Sequence, residues 1–190
     1  MTLGLRRGTV ELRPSSADYP SLFEAERARL AQALGPLALD IQHVGSTSVP
    51  GLAGKPVLDL AVAVRKAAQM DACTVPLERF GYTSFGDREG WGESFFARGS
   101  DDARTHYVHV LPLGHPRWRD YLLFRDVLRQ RPDLRDEYQN IKTVLAQQYA
   151  GRRAEYTARK GVFVERVLAD SGRGAPGLTS QQPTREASRD

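Results

Sequence analysis

The apolar residues of the first third of the chain follow two different spacings. Between residues 18 and 34 they recur every three or four positions, which predicts an amphipathic helix. A short strand-like alternation precedes this helix at 9–12, and a Gly-Pro pair follows it. The sequence LALDIQHV at 37–44 then alternates as a strand does, with His43 on the face that carries its apolar residues. We therefore predict a helix followed by a strand.

A second strand is predicted at 57–64, where the sequence is VLDLAVAV. Its alternation places Leu58 and Leu60 on one face and Asp59 and Ala61 on the other. The segment between the two strands is rich in glycine, serine and proline, so we expect an irregular loop there. After the strand, 66–80 has helical periodicity with a proline inside it, and 82–85 resembles another short strand.

The rest of the chain predicts a hairpin and then three helices. Phe95–Arg98 and His106–Leu111 alternate as strands and are separated by a polar turn. Helical spacing follows at 118–131, 132–149 and 153–169. This order of elements predicts an α+β fold, or mixed α/β, with a C-terminal helical segment. We expect one domain over residues 1–170 and a disordered tail over 171–190, which is rich in Gly, Ser, Pro and charge.

Composition narrows the class of protein without defining its reaction. The chain has 190 residues, of which 41% are hydrophobic and 26% charged, as expected for a globular domain. Its net charge of +4 suits an anionic ligand, but Lys and Arg are dispersed, which argues against a nucleic-acid partner. A single cysteine favours a reducing compartment. No apolar run reaches the roughly 20 residues of a membrane span, so we expect a cytoplasmic protein.

Candidate chemistry is concentrated in the loop and strand from His43 to Asp59. Small residues let backbone N–H groups approach an anion, and hydroxyl and imidazole groups add donors. Lys55 adds a positive charge, and Asp59 is a carboxylate on an otherwise apolar strand, where it needs a partner such as a cation. The candidate phosphate ligands here are His43, Gly45, Ser46, Thr47, Ser48 and Lys55.

Two further groups of residues complete the candidate site. His106 and His109 point to opposite faces of their strand, and we favour His109 for a cleft, as a metal ligand, a general base or a phosphate donor. Each histidine alone is otherwise explained by a structural role. Cationic residues interrupt apolar stripes of the C-terminal helices and could neutralise phosphates, or could instead extend to solvent. These cations are Arg125, Lys142 and Lys160, with Arg104 before the histidine strand.

The chain contains a series of motifs between Val10 and Leu168, in the order HVGSTSVPGL, KPVLDL, THYVHV, FRDVLRQRP, EYQNIK and YTARKGVF. Together these motifs resemble those of the GrpB family. That family is placed in the nucleotidyltransferase-like superfamily, so the resemblance implies a mixed-sheet core followed by helices. It also implies that Gly45 and Ser46 correspond to the nucleotide-binding loop and that Asp59 corresponds to the first of two metal-binding acids. Ala61 stands at the second acid, and the later strand carries His109 where the superfamily has a carboxylate.

The resemblance therefore implies a nucleotidyltransferase that moves a nucleotidyl group from an NTP such as ATP to a small acceptor. Asp59 and His109 are then the catalytic and metal-binding residues, and Mg²⁺ is the expected cofactor. Because Ala61 removes half of the acid pair, a non-catalytic nucleotide- or phosphate-binding module is the alternative. Fusions of some family members with a dephospho-coenzyme A kinase hint at an adenine-nucleotide or coenzyme A context. A metal-dependent phosphate hydrolase is the third hypothesis.

Overall fold

The structure is a computed structural model that describes residues 3–87 and 90–172. Most of the predicted tail, 173–190, lies outside these residues. The helices of the described chain are α1 (Tyr19–Leu34), α2 (Thr74–Arg79), α3 (Pro116–Gln130), α4 (Pro132–Gln148) and α5 (Arg153–Asp170). Its strands are β1 (Asp40–Val44), β2 (Leu58–Val64), β3 (Tyr82–Ser84), β4 (Ser94–Arg98) and β5 (His106–Pro112).

The five strands of the described residues form one mixed sheet in the order β1-β2-β5-β4-β3. β2 and β5 are parallel, whereas every other neighbouring pair is antiparallel. β4 and β5 form the predicted hairpin, in which Ser94 pairs with Val110 and Arg98 pairs with His106. The α+β prediction is confirmed, and no helix within the described residues has the length and apolar character needed to cross a membrane.

The two faces of the sheet have different roles because side chains alternate along each strand. Leu58, Leu60, Val62 and Val64 of β2 are buried in the main core together with residues of α1 and α2. The opposite face presents Asp59 and small residues toward the C-terminal helices. There α3 packs on β1 and β2, while α4 and α5 pack on α3 and share a second apolar core with it. This arrangement leaves a cavity between the sheet and the three helices.

Three predictions of secondary structure were wrong, either in where the element begins or in the kind of element. Residues 9–12 form no strand; the N–H of Val10 donates to Ala150, and the next residue, Arg13, makes an isolated bridge with Gly54. The first strand begins at Asp40, because Gly35–Leu37 closes into a 3₁₀ turn. The predicted helix 66–80 is two 3₁₀ turns followed by α2, which starts just before Pro76, where the ring of proline suits a helix start.

A buried ion pair lies on the main-core face of the sheet, away from the cavity. Glu26 of α1 is only 4% exposed; its Oε1 accepts a hydrogen bond from Arg98 Nη1 at 2.9 Å, and its Oε2 forms an ion pair with Arg98 Nη2 at 2.8 Å. The hydroxyl of Tyr82 donates to Glu26 Oε1 at 2.7 Å. His106 lies 3.8 Å from the same carboxylate, and burial, followed by the charge of Arg98, lowers its pKa to about 4. This group joins α1 to strands β3, β4 and β5.

Candidate functional site

A cavity of about 830 Å³ lies between the sheet and the three C-terminal helices. This volume is within the range of pockets that hold small molecules. Eight of the residues predicted from sequence line it: Gly45, Ser46, Lys55, Asp59, His109, Arg125, Lys142 and Lys160. The cavity also has an aromatic lining, to which Tyr107, Tyr121, Tyr138 and Tyr156 contribute.

The loop after β1 reaches the cavity because two glycines allow a close approach. Gly45 has φ +68°, and a Cβ there would lie 2.5 Å from Asp59 Oδ2. A Cβ on Gly54 would lie 2.6 Å from the Cβ of Ser46. Both positions therefore exclude any larger residue unless the backbone moves. The loop is held directly against the carboxylate of Asp59, as the pairing of Val44 with Asp59 in the sheet requires.

Asp59 is surrounded mainly by cationic groups. Burial raises the pKa of its carboxyl, while the nearby charges of His109, Lys55 and Lys160 act in the opposite direction. The cations outnumber the one acid at this point. Asp59 is thus a partner for the lysines as much as a ligand for a metal, and the local charge is positive.

The lysines of the cavity are less basic than exposed lysines. Burial, followed by the charges of Arg153 and Lys160, lowers the pKa of Lys55 to about 7. Burial, followed by the charges of Lys160 and Lys55, lowers the pKa of Lys142 to about 7. Burial also lowers the pKa of Lys160. Three ammonium groups in one enclosed space are therefore unfavourable without an anion.

Lys142 and Arg125 are fixed by the protein itself. Lys142 is 1% exposed, and its Nζ donates to Ser46 Oγ at 3.2 Å and to the carbonyl of Ala53. Arg125 donates through Nη1 to Gln42 Oε1 at 2.8 Å and to the carbonyl of His43 at 3.1 Å. These contacts attach α4 and α3 to the loop and to β1. The cations that interrupted the apolar stripes therefore face the sheet.

Glu93 is the main residue that sequence reasoning missed. It is buried, and its Oε1 lies 3.0 Å from His109 Nδ1 while its Oε2 accepts from the hydroxyl of Tyr121 at 2.8 Å. Despite its burial, the hydrogen bond and charge of His109 and the charge of Arg117 lower the pKa of Glu93 to about 2. An ionised carboxylate only accepts, so Nδ1 of His109 carries the proton of this hydrogen bond. In the neutral form of this tautomer the lone pair of His109 lies on Nε2.

No sequence pattern marked Glu93, because it precedes its strand in a stretch of mixed polar and glycine residues. Arg117 and Arg153, which line the cavity, were missed for a similar reason. Arg117 lies in the first turn of α3 and Arg153 is the first residue of α5. Neither interrupts an apolar stripe, so only the tertiary structure shows that they face the site.

Four predicted phosphate ligands do not line the cavity. His43 pairs with Leu60 and so lies on the main-core face, where it stacks on Phe23 with ring centroids 4.8 Å apart. Burial, followed by the charges of Arg129 and Arg125, lowers its pKa to about 4. Thr47 is also buried, with Oγ1 2.9 Å from His43 Nε2.

The other two are also engaged elsewhere. The hydroxyl of Ser48 donates to the carbonyl of Gly45 at 2.6 Å, which closes the 3₁₀ turn that begins after Gly45. Arg104 donates to the carbonyl of Gly99 at 2.9 Å and pairs with Asp101. These contacts give Ser48 and Arg104 local structural roles.

The residues present do not fit a magnesium ion held by the protein. Mg²⁺ requires oxygen ligands in near-octahedral geometry. Asp59 faces Lys55 and Lys160, Ala61 supplies no oxygen, and His109 uses one ring nitrogen on Glu93. Across the described residues, no three His, Cys, Asp or Glu side chains converge on a point suited to a metal ion. The expected pair of Asp59 and His109 is therefore an incomplete metal site.

Comparison with known proteins identifies the family. The model of the GrpB protein family matches residues 9–170. The chain belongs to the GrpB family. A crystal structure of GrpB from Enterococcus faecalis matches with a TM-score of 0.75 and 29% sequence identity, covering 84% of this chain and 98% of that one. The GrpB fold therefore accounts for nearly the whole of the described chain.

Relatives of the GrpB chain include longer proteins. A UPF0157 protein of Pseudomonas aeruginosa is 37% identical over 162 residues, which are 84% of this chain and 66% of that protein. A dephospho-CoA kinase of Mycolicibacterium paratuberculosis is 30% identical over an alignment of 184 positions, which covers 84% of this chain and 45% of that protein. The GrpB chain thus spans about two thirds of the first relative and less than half of the second.

Proposed function

We propose that the cavity binds the phosphate groups of a nucleotide or of another phosphorylated small molecule, through lysine and arginine side chains and without a metal held by the protein. The observation that supports this proposal most strongly is the charge of the lining. Among the described residues that line the cavity, seven are Lys or Arg and three are Asp or Glu. An enclosed excess of positive charge favours an anionic ligand.

The lysine pKa values give this proposal a physical basis. Lys55 and Lys142 have a pKa of about 7 because burial and neighbouring cations disfavour their charged forms. A phosphate beside them supplies the opposite charge and raises both pKa values. Binding is therefore coupled to proton uptake near neutral pH. Phosphate binding thus offsets the repulsion among the lysine ammonium groups of the unliganded cavity.

We expect isothermal titration calorimetry to detect binding of ATP and of tripolyphosphate, and each ligand should bind as tightly in EDTA as in Mg²⁺. Replacing Lys160 by methionine removes the charge and keeps an unbranched stem, so it should weaken both ligands roughly 10- to 100-fold, the range for a hydrogen bond to a charged group. The control is Lys66→Met on the exposed surface, which should leave affinity unchanged. Binding that requires Mg²⁺, or no binding of either ligand, would contradict the proposal.

Transfer of a nucleotidyl group from an NTP to a small acceptor is the second candidate function. It is favoured by the arrangement of His109, whose Nδ1–H is held by Glu93 so that Nε2 is available as a base. In this step Nε2 takes the proton of an acceptor hydroxyl, the acceptor oxygen bonds to the α-phosphorus, and the bond to pyrophosphate breaks. The cations around Asp59 then stabilise the charge on the departing pyrophosphate.

Transfer is tested with α-labelled NTPs and small acceptors, starting with dephospho-CoA because of the match to a dephospho-CoA kinase. We expect labelled product and released pyrophosphate, both reduced at least tenfold in His109→Asn, since a positioned general base contributes roughly 10²- to 10⁴-fold. Asp59→Asn is the second variant, and Lys66→Met the control. If the wild-type protein transfers no more label than His109→Asn and Asp59→Asn do, the transfer hypothesis is wrong and phosphate binding alone remains as the function. A hydrolase that relies on resident metal is not proposed, since the ligand set for one is incomplete.

A further inference from the structure

Trp91 is a large aromatic side chain that is held in place at the edge of the cavity. It lines the cavity and is 44% exposed. The carboxylate of Asp87 accepts hydrogen bonds from the backbone N–H groups of Trp91 and Gly92, both at 2.8 Å. Gly92 packs so closely that a Cβ there would lie 2.9 Å from His115 Nε2. The backbone around Trp91 is thus fixed from two sides.

The indole ring is also fixed through its face. The guanidinium of Arg117 lies 3.8 Å from the ring centroid, within the range of a cation–π contact. Arg117 is in turn anchored in the site, through Nη2 to the hydroxyl of Tyr121 at 3.1 Å and through Nε to Glu93 at 3.4 Å. The ring is therefore pre-positioned rather than free to rotate. A fixed aromatic surface at a cavity edge costs little further entropy when it binds a flat ligand.

The sheet register places this aromatic surface at a distance from the lysines. On the cavity face Ala61 of β2 pairs with His109 of β5, which pairs with Phe95 of β4. Two strand spacings of about 4.8 Å therefore separate the Asp59 strand from the strand of Phe95. Lys55 and Lys160 interact electrostatically with Asp59, whereas Trp91 contacts Arg117, which donates to Glu93, the residue before β4. Here the cationic side is the part of the cavity at Lys55 and Lys160, and the aromatic side is the part at Trp91. The two kinds of group are not strictly separated, since Lys55 lies 5.8 Å from the ring of Tyr156 and Arg117 lies over Trp91.

We propose that Trp91 stacks on a planar aromatic ring, such as a nucleobase, that is joined to the phosphate groups bound on the cationic side. The ligand class is then an aromatic phosphate, with nucleotides as its main members, rather than inorganic polyphosphate or a sugar phosphate. This inference rests on the proposed phosphate binding. It adds a specificity element that the cations alone do not provide, since they bind any compound of the same charge.

The test compares the affinities of ATP and tripolyphosphate in wild-type protein, Trp91→Ala and Trp91→Phe. Loss of a base–aromatic stack should weaken ATP roughly tenfold or more in Trp91→Ala and leave tripolyphosphate unchanged. Trp91→Phe keeps an aromatic ring and should retain most of the affinity for ATP. Tryptophan fluorescence of the wild-type protein is an independent readout. ATP should change it more than tripolyphosphate does, because Trp118, the other tryptophan, is buried in the core.

The outcomes separate this inference from the proposed function. If Trp91→Ala weakens both ligands equally, or neither, Trp91 does not stack on the base and the inference is wrong. If the wild-type protein binds tripolyphosphate and ATP equally well and ATP leaves the fluorescence unchanged, phosphate binding stands and the aromatic side has no role in it. If neither ligand binds, the proposed function fails and the stacking inference fails with it.

Discussion

Replacing Glu26 by alanine should lower the free energy of unfolding by about 3 kcal/mol or more, the effect of removing one partner from a buried ion pair. The variant leaves the guanidinium of Arg98 partly buried without the carboxylate that accepts its hydrogen bond and pairs with its charge. The hydroxyl of Tyr82 loses its acceptor as well. A buried polar group left without a partner costs more free energy than its hydrogen bond contributed. The loss of unfolding free energy should therefore exceed that from removing an exposed salt bridge.

Glu24→Ala is the matched control for this prediction. Glu24 lies on the same helix and pairs with Arg27 at 2.7 Å, but both side chains are more than half exposed. Exposed pairs contribute about 0–1 kcal/mol, so this variant should unfold at nearly the wild-type urea concentration. The measurement is equilibrium unfolding in urea, with far-UV circular dichroism as the signal. Equal destabilisation by the two variants would show that the buried network does not contribute as we argue.

Much of the fold was predictable because its elements carry strong local patterns. The alternation of VLDLAVAV predicts a strand covered on both faces, and β2 indeed buries Leu58 and Leu60 on one face and Ala61 on the other. The C-terminal helices were equally clear from their spacing. The failures were segments whose structure depends on distant partners. Residues 9–12 alternate as a strand, but the segment bonds to other parts of the chain: Val10 donates to Ala150, and the next residue, Arg13, pairs with Gly54.

The candidate site was predictable where a polar residue interrupts an apolar pattern. Asp59, Lys142 and Lys160 were found in this way, and all three line the cavity. Glu93 and Trp91 were missed because they lie in an irregular segment, where no apolar pattern exists to be interrupted. His43 was instead wrongly included as a phosphate ligand, because it is next to the loop in the sequence. The alternation of β1 places its side chain on the main-core face, away from the cavity.

The two faces of the sheet divide stability and binding between them. Ionisable groups on the main-core face are paired within the protein, as Glu26 is with Arg98. On the cavity face, the lysines around Asp59 have fewer acidic partners than their charge requires. Of these two groups of charges, only the lysines near Asp59 remain in an unfavourable arrangement. Local frustration of this kind is typical of a binding site, because a ligand can relieve it.

Gly45→Ala should disturb both stability and ligand binding. The backbone at Gly45 has φ +68° and ψ −171°, a conformation open essentially to glycine alone, which costs another residue about 1–3 kcal/mol. The added Cβ would also lie 2.5 Å from Asp59 Oδ2, so the loop and the carboxylate cannot both keep their positions. We expect a total loss of about 3 kcal/mol in unfolding free energy and at least tenfold weaker binding of tripolyphosphate, in line with the few kcal/mol that strain and a steric clash each cost.

Gly51→Ala separates the two causes, because Gly51 has φ +79° in the same loop but a Cβ there meets only the side chain of Arg135, at 3.9 Å. This variant should pay the backbone cost of about 1–2 kcal/mol and retain ligand affinity. The measurements are urea unfolding and calorimetric titration with tripolyphosphate for both variants. If Gly45→Ala loses no more affinity than Gly51→Ala, contact between the loop and Asp59 is not needed for binding, and the lysine and arginine side chains hold the phosphate groups without it. A selective loss in Gly45→Ala would place the loop among the groups that contact the ligand.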